Sequence, residues 1–109
     1  MKKTNKTYKK IIGYCPVDSG QLIIVDPCYL SRWTDGEYNP DDKNGEPQNS
    51  YDEACRLTVD GEVFENKQHS IGGVVTSTGF GDGRYPVTAT VEVSKEWGVR
   101  VKSINIKFY

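Results

Sequence analysis

From residue 85 to 93 the odd positions read Tyr, Val, Ala, Val, Val and the even ones Pro, Thr, Thr, Glu. A period of two with one apolar face predicts a strand packed on one side only. Residues 94–98 supply a turn, and residues 99–108 read as the return strand. There the phase slips: Val99 and Val101 are odd, whereas Ile104, Ile106 and Phe108 are even. One extra residue near Ser103, a β-bulge, would keep all five on one face. Leu22, Ile23, Ile24 and Val25 form a continuous apolar run that predicts a central strand buried on both faces. The preceding residues 17–21 read as a hairpin turn with Gly20 at its tip. Residues 57–64 place Asp60-Gly61 between two short apolar–polar runs, a tight-hairpin signal. A single short helix is expected after Asp26-Pro27, because Asp26 caps free amides and Pro27 needs no donor at the first helical position. It would cover residues 28–33. Residues 50–55 fit either a strand or a helical turn.

Composition sharpens the class. Val, Ile and Thr total 26 residues against six for Leu, Met and Ala, and branched side chains favour a pleated surface over a helix. The expected fold is therefore all-β, mainly antiparallel, a small barrel or sandwich with one short helix. At 109 residues the chain fits one domain, residues 11–109, behind a lysine-rich arm, residues 1–10. That arm carries five lysines and no acid; without it the balance is nine basic against 15 acidic residues. Residues 35–50 hold five acids, one Lys and one aromatic ring, which predicts a long solvated loop.

Several function classes find no support. The formal net charge of −1 offers no strong field for long nucleic acid. No apolar run approaches the roughly 20 residues of a membrane span, and the N-terminus lacks the apolar stretch of a signal peptide. A cytosolic setting is expected, with Cys15, Cys28 and Cys55 as buried thiols, since no C-x-x-C pair is present. The single histidine, His69, excludes a multi-histidine metal site, and no G-x-S-x-G elbow accompanies it. The acidic loop does not fit an EF-hand, which would meet Pro40 or Lys43 at the wrong positions. No dinucleotide fingerprint or Walker loop occurs, and no cofactor is expected.

The segment from Thr76 to Pro86 concentrates unusual chemistry. Gly79, Gly81 and Gly83 alternate with Phe80, Asp82 and Arg84, so the backbone could surround an anion while Arg84 supplies charge. A tight turn between strands explains the same residues. Asp18-Ser19-Gly20 and Asp26-Pro27-x-Tyr29 carry two further carboxylates, which turn formation and helix capping also explain. Tyr29, Trp33, Tyr38, Tyr51, Phe80 and Tyr85 stand in or beside loops or turns, where rings stack on bases or cover the ends of a small core.

Residues 17–22 and 26–30, with 79–87, resemble a family of uncharacterised bacterial and phage proteins. That family carries an SG-x-L…DP-x-Y block, a GxGDGxYPV block and a closing β-hairpin. The resemblance covers residues 13–34 and 72–108, and it implies a β-rich fold without implying an activity. By analogy of size and setting, it brings in phage proteins that sequester the nucleotide signals of bacterial immunity. The resulting expectation is a non-enzymatic protein binding a small phosphorylated nucleotide. Arg84 and the amides of residues 81–83 would hold phosphate, with Thr76, Thr78 and Ser19 as hydroxyl partners. Phe80, Tyr85, Trp33 or Tyr29 would stack on the base, and Asp18, Asp26 or Asp82 would accept hydrogen bonds. A homo-oligomer would let so short a chain enclose its ligand. The alternatives are a protein-interaction module acting through the acidic loop and a metal-dependent hydrolase built on Asp18, Asp26 or Asp82.

Overall fold

The computed structural model describes residues 6–41, 45–59 and 66–109. The strands are β1 (Lys6–Val17), β2 (Gln21–Ile24), β3 (Val74–Ser77), β4 (Gly83–Ser94) and β5 (Gly98–Ile106). A 3-10 helix (Pro27–Arg32) and helix α1 (Ser50–Val59) complete the described elements. The fold is mainly antiparallel β, in a three-stranded sheet of order β1-β4-β5 and a two-stranded sheet of β2 and β3. Neither sheet closes into a barrel, which corrects that half of the expectation. The chain divides into two compact units, Met1–Asp18 with Asp82–Tyr109, and Ser19–Gly81.

In the first unit β4 is the central strand, and its pattern decides the sheet. Tyr85, Val87, Ala89 and Val91 are buried, as their period of two requires. The register of β5 shifts between Thr90 and Val91, which pair with Ser103 and Val101 and leave Lys102 as the extra residue. The expected bulge is thus present, one position from Ser103. It brings Val99, Val101, Ile104 and Ile106 opposite Val93, Val91, Ala89 and Val87. A second bulge, at Ile12 of β1, was not legible in the sequence. The turn between β4 and β5 closes on Ser94, whose hydroxyl accepts from the Glu96 and Trp97 amides. Lys6, Lys9 and Lys10 belong to β1 and pair with Val93, Thr90 and Ala89, so the expected arm is in part a strand with exposed side chains.

In the second unit α1 packs on β3, and the core holds Ala54, Cys55, Ile71 and Val75 with His69. Three expectations are corrected here. Leu57, Thr58 and Val59 end α1 rather than forming a hairpin strand, and the Asp60-Gly61 turn with residues 62–64 lies outside the described residues. Leu22, Ile23 and Ile24 form part of a two-stranded ribbon and are half-buried to exposed, because only one neighbouring strand covers them. Gly20 does take a positive φ of 67°, but the strands on either side of it pair with different partners, so it joins two sheets instead of turning a hairpin. The 3-10 helix starts as expected: Asp26 accepts from the Cys28 amide at 2.9 Å and Pro27 occupies the first turn. Cys15 is half-buried, Cys28 exposed and Cys55 buried, so the buried-thiol expectation holds fully for Cys55 alone.

The segment left open between strand and helix is α1. Its cap is Asn49, whose side-chain oxygen accepts from the Asp52 amide at 2.8 Å. Asp52 reaches back to the Gln48 amide at 2.8 Å and forward to Arg56 at 3.0 Å, an arrangement close to a capping box. These contacts hold the Asp52 carboxyl below the usual carboxylate range, the Gln48 hydrogen bond contributing most. Thr34 and Ser50 clasp the base of the acidic loop. The Thr34 amide donates to the Ser50 hydroxyl and the Ser50 amide to the Thr34 carbonyl, each at 2.9 Å.

Candidate functional site

The Ser19–Gly81 unit contains a half-open cavity of about 170 Å³ lined by Ser19, Gln21, Leu22, Ile23, Trp33, Tyr51, Ala54 and Val75. Each wall follows from local structure. Leu22 and Ile23 come from β2, Val75 from β3, Tyr51 and Ala54 from the first turns of α1. Trp33 closes the 3-10 helix as its C-cap, and its amide donates to the Leu30 carbonyl. Two neighbours hold the indole. Its Nε1–H donates to Asp35 at 2.7 Å, and its ring stacks on His69 with centroids 5.5 Å apart and planes 28° from parallel.

His69 is itself locked. The Ile71 amide donates to Nδ1 at 3.2 Å, which leaves the proton on Nε2 to donate to the Ser50 carbonyl at 2.9 Å. Both ring nitrogens are therefore engaged with backbone, and the side chain is buried. Ser70, next in the chain, donates its hydroxyl and amide hydrogens to Glu53. On the polar side of the cavity Gln21 donates to the Cys55 sulfur and accepts from Thr58. Ser19 is exposed at the rim.

The other residues singled out in the sequence are spread over both units. Trp33 and Ser19 share the cavity; Asp26 and Tyr29 belong to the 3-10 helix. Asp26 is spent as its cap. Tyr29 lies against Gly72 and beneath the Arg32 guanidinium, 4.5 Å from its ring centre. Thr76 lies on β3, with its hydroxyl on the Ser77 carbonyl. Thr78 is fully buried; its hydroxyl donates to the Gly81 carbonyl and its amide to the Gly20 carbonyl. Phe80 is 78% exposed, and Gly81 takes φ of 90°, a conformation that costs glycine least.

Asp18, Asp82, Gly83, Arg84 and Tyr85 belong to the other unit. Tyr85 is buried, edge-on to Phe108 at 5.4 Å, and its hydroxyl lies 3.5 Å from the Asp82 carbonyl. Gly83 sits against the Tyr85 ring, where an added Cβ would come within 3.1 Å. Arg84 is exposed and lays its guanidinium over Tyr14, 4.2 Å from the ring centre. Asp18 and Asp82 are exposed.

Tyr51 was read only as one of several loop rings and Gln21 only as a turn residue; neither was expected to line a cavity with Trp33. The signal for Tyr51 was available in Asn49-x-x-Asp52, which marks a helix start and puts residue 51 in its first turn. Among the described residues no three His, Cys, Asp or Glu side chains cluster closely enough to hold a metal ion, and no helix is long and apolar enough to cross a membrane. No protein-family model, curated protein or solved structure matches the chain.

Proposed function

We propose that the protein binds a small nucleotide-type ligand without converting it, taking the ligand's planar ring into the Trp33–Tyr51 cavity. The observation that carries this reading is an apolar cavity walled by two aromatic rings, one of them fixed by Asp35 and His69. Its size suits a ring and not a whole nucleotide. Sites that enclose a drug-sized ligand run to roughly 300–1,000 Å³, whereas an apolar cavity of about 150 Å³ takes up benzene. The sugar and phosphate would therefore stay outside. Non-conversion is supported by His69, whose ring nitrogens both serve the backbone, so that its imidazole is not available as a base. The phosphate contact expected of Arg84 is a separate part of the proposal with its own variant. The homo-oligomer belongs to the same proposal and is read by sedimentation with and without ligand.

Thermal melting against mono-, di- and cyclic nucleotides tests the reading, with any bound ligand recovered by heat and analysed. A ligand at 100 times its dissociation constant stabilises by about 2.7 kcal/mol, several degrees for a chain of this size. Trp33→Ala should cut the stabilisation to between about 0.3 and 1.7 kcal/mol while Trp33→Phe retains most of it, since one stacked ring contributes about 1–3 kcal/mol. Arg84→Ala binding every nucleotide as tightly as the wild type would remove the phosphate contact alone. A ligand recovered altered would overturn non-conversion. No shift across the panel would overturn the whole proposal and favour the acidic-loop interaction module.

A further inference from the structure

The net charge of −1 conceals a division. The Met1–Asp18 and Asp82–Tyr109 unit carries ten basic and four acidic residues, and the Ser19–Gly81 unit four basic and eleven acidic. The register of the three-stranded sheet sorts much of the first unit's charge onto one face. The apolar positions of β4 take one side with their partners, and its even positions take the other. Row by row, that second face pairs Thr7, Glu92 and Arg100, then Lys9, Thr90 and Ser103, then Ile11, Thr88 and Asn105, then Tyr14 with Pro86. Arg84 lies on it, stacked over Tyr14, and Lys102 reaches it through Glu92.

Five cations, Lys9, Arg84, Arg100, Lys102 and Lys107, thus share this face with one carboxylate, Glu92. That carboxylate is already neutralised: Glu92 is buried, accepts from Arg100 at 3.0 and 3.2 Å and lies 3.5 Å from Lys102. Between the cations runs a groove of about 380 Å³ lined by Lys9, Thr88, Thr90, Ser103, Ile104, Asn105 and Lys107. Beside the apolar Ile104, its side chains offer two ammonium groups, three hydroxyls and an amide, and none of the seven is acidic.

We infer that this face binds single-stranded nucleic acid through its phosphodiester backbone, with little sequence preference. The hydroxyl and amide donors of the groove are suited to phosphate oxygens. The cationic strip runs along β4 from Arg84 to the Glu92 row, about 27 Å at the rise of a strand, so it follows a chain of several nucleotides and not one anion. The Tyr14–Arg84 stack supplies an exposed flat surface for a base, the combination that sequence-tolerant single-strand binding uses. A solvated sheet face guarded by lysines is the competing account; it does not explain a groove with hydroxyls of the central strand at its floor. The inference does not rest on the planar-ring cavity, which belongs to the other unit.

Fluorescence anisotropy of a labelled 12-nucleotide oligothymidylate with the full chain tests it. Binding is expected at micromolar to about 0.1 mM protein, with a salt slope near −0.7 per phosphate contacted. Lys9→Ala with Lys107→Ala should weaken binding about tenfold or more and flatten the slope by about 1.4. The paired Lys→Arg variant should restore both, and unchanged melting temperatures establish that the variants fold. Lys10→Ala is the control, because Lys10 pairs with Ala89 on the opposite face and should leave binding unchanged. No binding at about 0.1 mM protein in low salt, or an equal loss in Lys10→Ala, would overturn the inference. So would binding to phosphatidylserine vesicles with none to the oligonucleotide.

Discussion

Asp52 illustrates how a single side chain can hold several elements. It receives the Gln48 amide and the Arg56 guanidinium while buried, and its pKa lies below the ordinary carboxylate value. A depressed folded-state pKa contributes stability that is present above the unfolded value and lost as pH falls through the folded one. Asp52→Asn should therefore be less stable than wild type at neutral pH. The gap in urea midpoints should narrow between about pH 7 and pH 2.5; a gap independent of pH would contradict the ionic account. Glu92 follows the same sign, its pKa lowered chiefly by the Arg100 hydrogen bond. Gly73 is a different kind of constraint. A Cβ there would meet the Ile24 carbonyl at 2.8 Å, and backbone cannot step aside as a side chain can. Gly73→Ala should lower the melting temperature by several degrees, the response of a small domain to roughly 1 kcal/mol, whereas Gly13→Ala, with open space around it, should not.

Among the elements, β5 shows how one residue maintains a face. Lys102 is extra relative to β4; in a regular ladder it would put Val99 and Val101 on the side opposite Ile104 and Ile106, and by bulging it keeps all four on one side. Deleting Lys102 would leave Val99, Val101, Ile104 and Ile106 in regular alternation, so it should keep the apolar face and change stability by no more than a surface substitution does, about 0.5 kcal/mol, as read by urea denaturation. Lys102→Ala, which keeps the residue count, should stay near wild type. Helix α1 makes a complementary point. Its start, Asn49-x-x-Asp52, lies at the end of a polar run, and the sequence left residues 50–55 open between a strand and a helical turn. The tertiary clasp of Thr34 on Ser50 and the docking of Glu53 on Ser70 turn that run into a helix start.

For the whole molecule, the two sheets differ in how their backbone is secured. The middle of β4 is paired on both sides, whereas β2 and β3 are a ribbon of four residue pairs. Paired, buried amides open only with large-scale unfolding, and short ribbons open locally. Hydrogen exchange should therefore be slowest at residues 89–91 and faster by orders of magnitude in β2. Uniform protection across both would show one cooperative unit instead. The division of charge into a basic and an acidic unit also belongs to this scale. It was hidden in the total, because the basic residues come from both ends of the chain and the acidic ones from its middle.

By itself the sequence determined what depends on neighbours a few positions away. The buried face of β4, the bulge beside Ser103, the Ser94 turn and the Asp26-Pro27 helix start all follow from period, phase and capping chemistry, which act locally. Pairing between distant strands was decided only by the tertiary structure. Residues 17–21 have the composition of a hairpin turn, yet β1 finds β4 and β2 finds β3, since strand partners are selected by long-range burial. The same holds for the candidate sites. The glycine-rich segment was legible as chemistry, but Thr78 and Tyr85 direct their polar atoms inward, while Tyr51 joins Trp33 from 18 positions away. Cavities and charged faces arise where distant segments meet, and no local pattern encodes that meeting.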